Sequence, residues 1–336
     1  MATSDAPAGA AIKIGTRRSA LALKQADMVV AALRLAHPDV EFEIQARDTL
    51  GDRDKTTPLP QMGKGLWTSE FEAKLVAGEL DLVVHCVKDM PTTLPPGCVL
   101  GAVTEREDPR DTVIFRPGAA WRRIADLPPG SVVGTSSVRR MAQLRRRYPA
   151  LRFQDVRGNI DTRLRKLDDP DSGYDCIILA AAGLKRLGLA DRIAQYLDSS
   201  ADGGGILYAV GQGALGIEIR EHDERVYRLV QAVIHKPTMT ACLAERAVMR
   251  TLEGGCSVPI GVEAAWEDEG RKLRLKATVV SLDGKQAVDV DRVEEAPSPE
   301  QAERFGEAIA AKLAGMGAQP ILDAINKSRD TTAATS

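Results

Sequence analysis

The feature that most constrains this chain is the alternation of short apolar runs with helix-patterned runs over its first two thirds. IKIG (12–15) is followed from Ser19 by Leu21, Ala22, Ala26, Val29, Val30 and Leu33 at helical spacing, which stops at His37-Pro38. Val40, Phe42, Ile44 and Ala46 then alternate as a strand. Ser69 and Glu72 form a capping-box pattern for a helix ending at Gly78, and DLVVHC (81–86) reads as a buried strand. The rhythm returns in VVGT (132–135) before SVRRMAQLRRR, and in CIILA (176–180) before AAGLKRLG. Strands alternating with helices imply parallel sheets covered by helices. The last hundred residues differ. A helix through 238–252 precedes strand-like runs near 259–266, 272–282 and 286–294, with Asp283-Gly284 as a hairpin turn and a helix opening at Ser298, Pro299 and Gln301. This reads as a small α+β unit.

At 336 residues the chain is too long for one ordinary core, so two or three domains are expected, with Pro-containing junctions near 108–110 and 236–238. The absence of any stretch of about 18 apolar residues argues against a membrane-spanning helix. Net charge is −2, from 45 Lys plus Arg against 47 Asp plus Glu, which argues against a general polyanion binder but not against local basic pockets. Only Phe 5, Tyr 5 and Trp 3 supply aromatic rings, too few for an extended base-stacking surface. The cysteines at 86, 98, 176, 242 and 256 are odd in number and form no CxxC pair. A disulfide framework and a zinc ribbon are therefore poorly supported, and a reducing, cytosolic compartment is expected. The small, polar N-terminus lacks a secretion signal; residues 1–11 and 327–336 are expected to be flexible tails.

One echo points to chemistry. IGTRRS (14–19) and VGTSSVRR (133–140) both place Gly-Thr, then Ser and Arg, where a strand becomes a helix. Helix starts attract anions, and arginine adds a planar fork for carboxylates. Two such sites would face a shared cleft at the strands' carboxyl ends; ordinary caps with solvated arginines are the plain alternative. LEGGCSVPIG (252–261) places Cys256 between two glycines and a proline, where a thiol is presented as a nucleophile unless it is buried and inert. VVHCVKDMPT (83–92) ends a buried strand with Lys88 and Asp89, a carboxylate suited to proton transfer or cation stabilisation, or else a surface ion pair. His85 reads as a satisfied strand histidine, and no spacing suggests a metal site. Arg139, Arg140, Arg157, Arg163 and Arg186 suit a substrate with several carboxylates, whereas Arg145, Arg146 and Arg147 end their helix and suit solvent. GKGLW (63–67) lacks the full phosphate-loop spacing, and VGQGALG (210–216) reads as a tight inter-domain crossing.

Together IGTRRSALALKQA, GKGLW, DLVVHCVKDMPT, EREDPRD, VVGTSSVRR, RGNIDTRL, AAAGLKRLG, YAVGQGALGIE, AERA and LEGGCSVPIG resemble the porphobilinogen deaminase family, in order and spacing, from about Ile12 to Leu322. The resemblance implies an α/β fold: two periplasmic-binding-protein-like domains (12–109 plus 213–233, and 110–209) around a central cleft, with a smaller α+β C-terminal domain (237–326). It implies a dipyrromethane cofactor, self-assembled and held by Cys256 through a thioether. On this primer four porphobilinogen molecules condense head to tail with loss of ammonia, and hydrolysis frees hydroxymethylbilane. It implies Asp89 as the catalytic carboxylate. Lys88, Ser136, Ser137, Arg139, Arg140, Arg163 and Arg186 join Asp89 in holding the cofactor; Arg17, Ser19, Gln25, Lys64, Trp67, Thr135 and Arg157 bind substrate, and Asp48 lies nearby. A cytoplasmic monomer, with no nucleic acid, membrane or metal, is the expectation. Trp67 stands where the family commonly has Phe, and Cys86 where it commonly has Ser. A non-enzymatic polycarboxylate-binding protein, and more remotely an RNA-binding protein using RRMAQLRRR, are the alternatives.

Overall fold

The computed structural model describes residues 11–53, 65, 67–252, 258–296 and 298–333. Its first elements are β1 Ile12–Arg17, α1 Ala20–Ala36, β2 Phe42–Arg47, α2 Leu50–Arg53, α3 Ser69–Val76, β3 Leu82–Cys86 and β4 Cys98–Val103. There follow β5 Asp111–Phe115, β6 Val132–Gly134, α4 Val138–Arg147, β7 Arg152–Gln154, α5 Ile160–Asp168, β8 Cys176–Ala180, α6 Ala181–Arg186 and β9 Gln195–Leu197. The chain continues through β10 Leu215–Arg220, α7 Glu224–Gln231, α8 Lys236–Thr251, β11 Ile260–Glu267, β12 Lys272–Val280, β13 Ala287–Glu295, α9 Pro299–Leu313 and α10 Gln319–Ala333. No helix among the described residues is long and apolar enough to cross a membrane.

Three sheets organise these elements: β2-β1-β3-β10-β4, β7-β6-β8-β5-β9 and β11-β12-β13. The first two are α/β lobes, and the third is a small antiparallel sheet with helices. The expected all-parallel sheets need correcting. β1 pairs parallel with β2 and β3, and β6 with β7 and β8, but β10 runs antiparallel to β3 and β4, and β5 antiparallel to β8 and β9. The cause is where the chain crosses between lobes. Leu215, which begins β10, pairs with Cys86 at the end of β3; Asp111, which begins β5, pairs with Ala180 at the end of β8. Each crossing enters its new sheet at the carboxyl end of the parallel strands and must run back along them. Apolar periodicity reports burial, not strand direction.

In the third unit α8 and α9 pack over the sheet around Val248, Phe305, Ile309, Leu313, Leu273, Leu275 and Val279. Gly306 allows that contact, because a Cβ there would collide with the Ala244 carbonyl oxygen. α10 continues to Ala333, so the backbone of 327–333 is helical. Ile321, Leu322 and Ile325, buried in the same core, fasten the start of this helix. The arginines closing α4 are also not simply solvated. Arg145 donates to the Leu282 carbonyl at 2.8 Å, and Arg146 meets both Asp289 carboxylate oxygens at 3.1 and 2.8 Å. They join the second lobe to the third sheet.

The expected capping box at Ser69 and Glu72 does not form. Thr68 holds the cap position without a side-chain bond, and Glu72, only 7% exposed, turns into the first lobe. There it shares the interior with buried Glu218 and with His85, whose Nε2 lies 3.2 Å from a Glu218 carboxylate oxygen. Burial lifts the Glu72 carboxyl above its ordinary range, and the Glu218 charge adds to the rise. A carboxyl raised on folding contributes most below its unfolded pKa of about 4.3 and loses that contribution as pH climbs through the folded value. Glu72→Gln is therefore expected to be nearly neutral at about pH 4, and to raise the thermal midpoint by about 2 °C at about pH 8, measured by thermal melts across that range. An equal shift at both ends would assign the effect to packing rather than ionisation.

Candidate active site

On the first lobe, β1 ends at Arg17 and Ser19 caps α1, its Oγ accepting the Ala22 N–H at 3.3 Å. The Arg17 guanidinium stacks 4.1 Å from the Trp67 ring centroid. Gly51 permits this ring position, since a Cβ there would meet the indole. Lys88 and Asp89 lie in the single helical turn that follows β3. That turn is braced by the second crossing: the Val87 N–H donates to the Ala214 carbonyl at 3.0 Å. Gly211, with φ of +70°, lies so close that a Cβ would collide with Val87 and come within 3.0 Å of the Lys88 nitrogen. The glycines of VGQGALG thus let the crossing back directly onto the Asp89 turn.

On the second lobe the strand-to-helix turn after β6 is held by its own hydroxyls. Thr135 Oγ1 accepts the Ser137 N–H at 3.2 Å, Ser137 Oγ accepts the Arg140 N–H at 3.4 Å, and the Ser136 hydroxyl donates to the Val156 carbonyl at 3.1 Å. Arg139 and Arg140 are buried and share the Asp111 carboxylate, with closest contacts of 2.8 and 2.7 Å. Arg163 donates from Nε to the Gly158 carbonyl at 2.7 Å. Arg186 donates from Nη2 to the Gly213 carbonyl at 2.6 Å, while its buried Nε has no hydrogen-bond partner among the described residues.

Charges of the two lobes lie within electrostatic reach of one another. The Asp89 charge acts on Cys86 in its own lobe and on Arg163 in the other. Burial, then repulsion from Arg140 and Arg157, bring Arg163 down to about 10. Burial lowers Arg186 as well. A group of guanidiniums that repel one another, one with an orphaned buried N–H, is chemically ready for anionic oxygens. The lobes touch where Leu21 of α1 reaches Gly183 of α6. Gln25 is buried in α1. Asp48 instead faces outward beside Arg18 at 3.4 Å. Lys64 and Cys256 lie outside the described residues.

The described cysteines are poor nucleophiles. Burial raises the thiols of Cys86, Cys98, Cys176 and Cys242, with Cys98 and Cys242 both pushed up to about 12. A cavity of about 440 Å3 between α4 and the third sheet, lined by Arg146, Lys276 and Asp289 among others, holds none of the expected site residues. Four polar side chains at the crossings were not singled out from sequence: Asp111 and Gln212, bonded at 2.9 Å, and Arg106 and Glu245, bonded at 2.6 and 3.0 Å. Their only sequence signal is their place in EREDPRD, VGQGALG and AERA, the segments at the crossings.

Comparison with known proteins identifies the family. The family described as "Porphobilinogen deaminase, dipyromethane cofactor binding domain" matches residues 12–228, and "Porphobilinogen deaminase, C-terminal domain" matches residues 239–315. The chain is 60% identical to the porphobilinogen deaminase of Neurospora crassa over 322 residues, covering 95% of each chain. It is 50% identical to that of Yarrowia lipolytica, covering 93% of each, and 44% identical to that of Schizosaccharomyces pombe, covering 97% of this chain and 98% of that one. A solved periplasmic sulfonate-binding protein, SsuA from Methylobacillus flagellatus KT, matches with a TM-score of 0.39 at 12% identity, over 72% of this chain and 69% of that chain. The chain belongs to the porphobilinogen deaminase family.

Proposed function

We propose that this chain is the transferase that condenses four porphobilinogen molecules head to tail, with loss of ammonia, and then releases hydroxymethylbilane by hydrolysis. The observation that carries this reading is one carboxylate, Asp89, in the turn after β3 within electrostatic reach of Lys88, Arg163 and Arg186, with Arg140 and Arg157 beside Arg163. Each porphobilinogen brings two carboxylates, so the chemistry of the substrate matches the charge of the site. We assign the domains as 12–109 with 213–233, 110–209, and 237–326. A reducing, cytoplasmic setting suits the four described cysteines, which are all free thiols.

The same donors fit the acidic side chains of a dipyrromethane, and the unpartnered Arg186 Nε supports that fit. Cys256 is the proposed thioether anchor; Lys88, Ser136, Ser137, Arg139, Arg140, Arg163 and Arg186 are its proposed holders. When bound, the group supplies a nucleophilic pyrrole carbon to which the incoming substrate is joined. The chain's own residues do the rest. Arg17, Ser19, Thr135 and Arg157 orient the substrate's carboxylates, with Trp67 stacked behind Arg17. Asp89 accepts pyrrole N–H groups and stabilises the positive charge that develops on the substrate as ammonia leaves. The same carboxylate then helps to carry away the proton displaced when the new carbon–carbon bond forms.

The holoenzyme is expected to be heavier than its sequence by about two pyrrole units attached through one thioether, read by intact mass, and Cys256→Ala is expected to lack that increment. An active, unmodified protein would refute the anchor. Asp89→Asn is expected to fold and keep the added mass while kcat falls about 100-fold or more; near-normal turnover would remove Asp89 from the chemistry.

A further inference from the structure

The two arginines that open α4 are not equivalent, and the difference lies in one carboxylate. Asp111 is 1% exposed at the start of β5. Its Oδ1 accepts Arg140 Nε at 3.0 Å, Arg140 Nη2 at 2.7 Å and Gln212 Nε2 at 2.9 Å. Its Oδ2 accepts Arg139 Nη1 at 2.8 Å. Arg139 Nη1 also donates to the Leu207 carbonyl at 2.6 Å, and Arg140 Nη1 to the Ile178 carbonyl at 2.8 Å. Arg140 has therefore spent its Nε–Nη2 edge, the planar fork that best matches a carboxylate. Arg139 has spent Nη1 alone. Its Nε and Nη2 have no hydrogen-bond partner among the described residues, and neither atom is sealed from solvent.

We propose that Asp111 is a positioning residue that sorts this pair: it engages the Nε–Nη2 edge of Arg140 and leaves the Nε–Nη2 edge of Arg139 open as a two-N–H donor for one carboxylate of the bound primer. This assignment rests on the cofactor reading above. The arrangement also fixes the charge. Two guanidiniums sharing one carboxylate leave a single net positive charge, enough for one ligand carboxylate. The two cations hold the Asp111 carboxyl well below its usual range, so it stays ionised throughout the neutral pH range. Gln212 belongs to the second crossing and also donates to Pro109 of the first at 2.7 Å, so the same oxygen that orients Arg140 is tied to both connections between the lobes.

The test uses purified holoenzyme and scores cofactor occupancy by intact mass, the thermal midpoint, and kcat and KM per loaded molecule. Asp111→Asn keeps the shape and removes the charge. It is expected to lower kcat per loaded molecule about tenfold or more, with KM changing less than about threefold, and Asp111→Glu is expected to recover part of kcat. A purely structural aspartate would lower the thermal midpoint and leave kcat per loaded molecule at the wild-type value, and that result overturns the proposal. If Asp111→Asn yields no folded holoenzyme, Gln212→Met decides. It removes one neutral donor from the same oxygen and is expected to lower kcat per loaded molecule about threefold, whereas an unchanged kcat overturns the assignment. Failure of the cofactor reading has a different signature: wild-type protein of unmodified mass, which overturns both.

Discussion

The structure depends on two connections that run side by side between the lobes and are held together by buried charge. Arg106, on the first, donates from Nε to the Gln212 carbonyl at 2.8 Å on the second, and pairs through both outer nitrogens with Glu245 of α8. Glu245 returns a bond by accepting the Gly211 N–H at 2.8 Å. Glu107 donates its N–H to the Gly213 carbonyl at 3.2 Å, and Tyr208 lies beneath the Arg106 guanidinium at 4.9 Å. A buried ion pair brings little net stability against an apolar replacement, but removing one partner leaves an uncompensated charge. Its consequence here is geometric. The crossings enter both sheets at the ends where the site residues sit, so holding the crossings holds the site.

This arrangement explains how a carboxylate and several guanidiniums coexist without cancelling. Asp89 belongs to a turn that the second crossing braces from behind, while the arginines belong to helices and loops of the other lobe. Within the second lobe, Asp111 neutralises part of the arginine charge, and Lys185 bridges Glu107 and Asp108 at 3.3 Å each, occupying acidic groups that would otherwise compete for the arginines. The residual positive field gathers around Arg163, which burial and its neighbours leave less basic than an ordinary arginine. On the proposed function, a substrate bearing two carboxylates would relieve that repulsion and meet Asp89 as it binds.

The hydroxyl groups near the site have a different task from the one their composition suggests. Ser19, Thr135 and Ser137 all accept backbone N–H groups at helix starts, so each spends an oxygen on local structure. Beside the ligand contacts proposed for them, they fix the strand-to-helix turns from which Arg17, Arg139 and Arg140 leave the backbone.

Sequence alone determined which elements exist and which residue types gather. The apolar spacing behind Ser19 became α1, the two Gly-Thr-Ser-Arg echoes became matching strand-to-helix turns, and DLVVHCVKD became a buried strand ending in a carboxylate. These are local consequences of side-chain period and capping chemistry, and a short window of sequence contains them. Tertiary structure decided strand direction in β5 and β10, the inward turn of Glu72, the pairing of Arg145 and Arg146 with the third sheet, and the sharing of Asp111 by two arginines. Each of these depends on partners 28 or more positions away in the chain, as with Arg139 and Asp111. Periodicity cannot report which buried charge will find which counterion, because that choice is made only when separate segments compete for the same desolvated space.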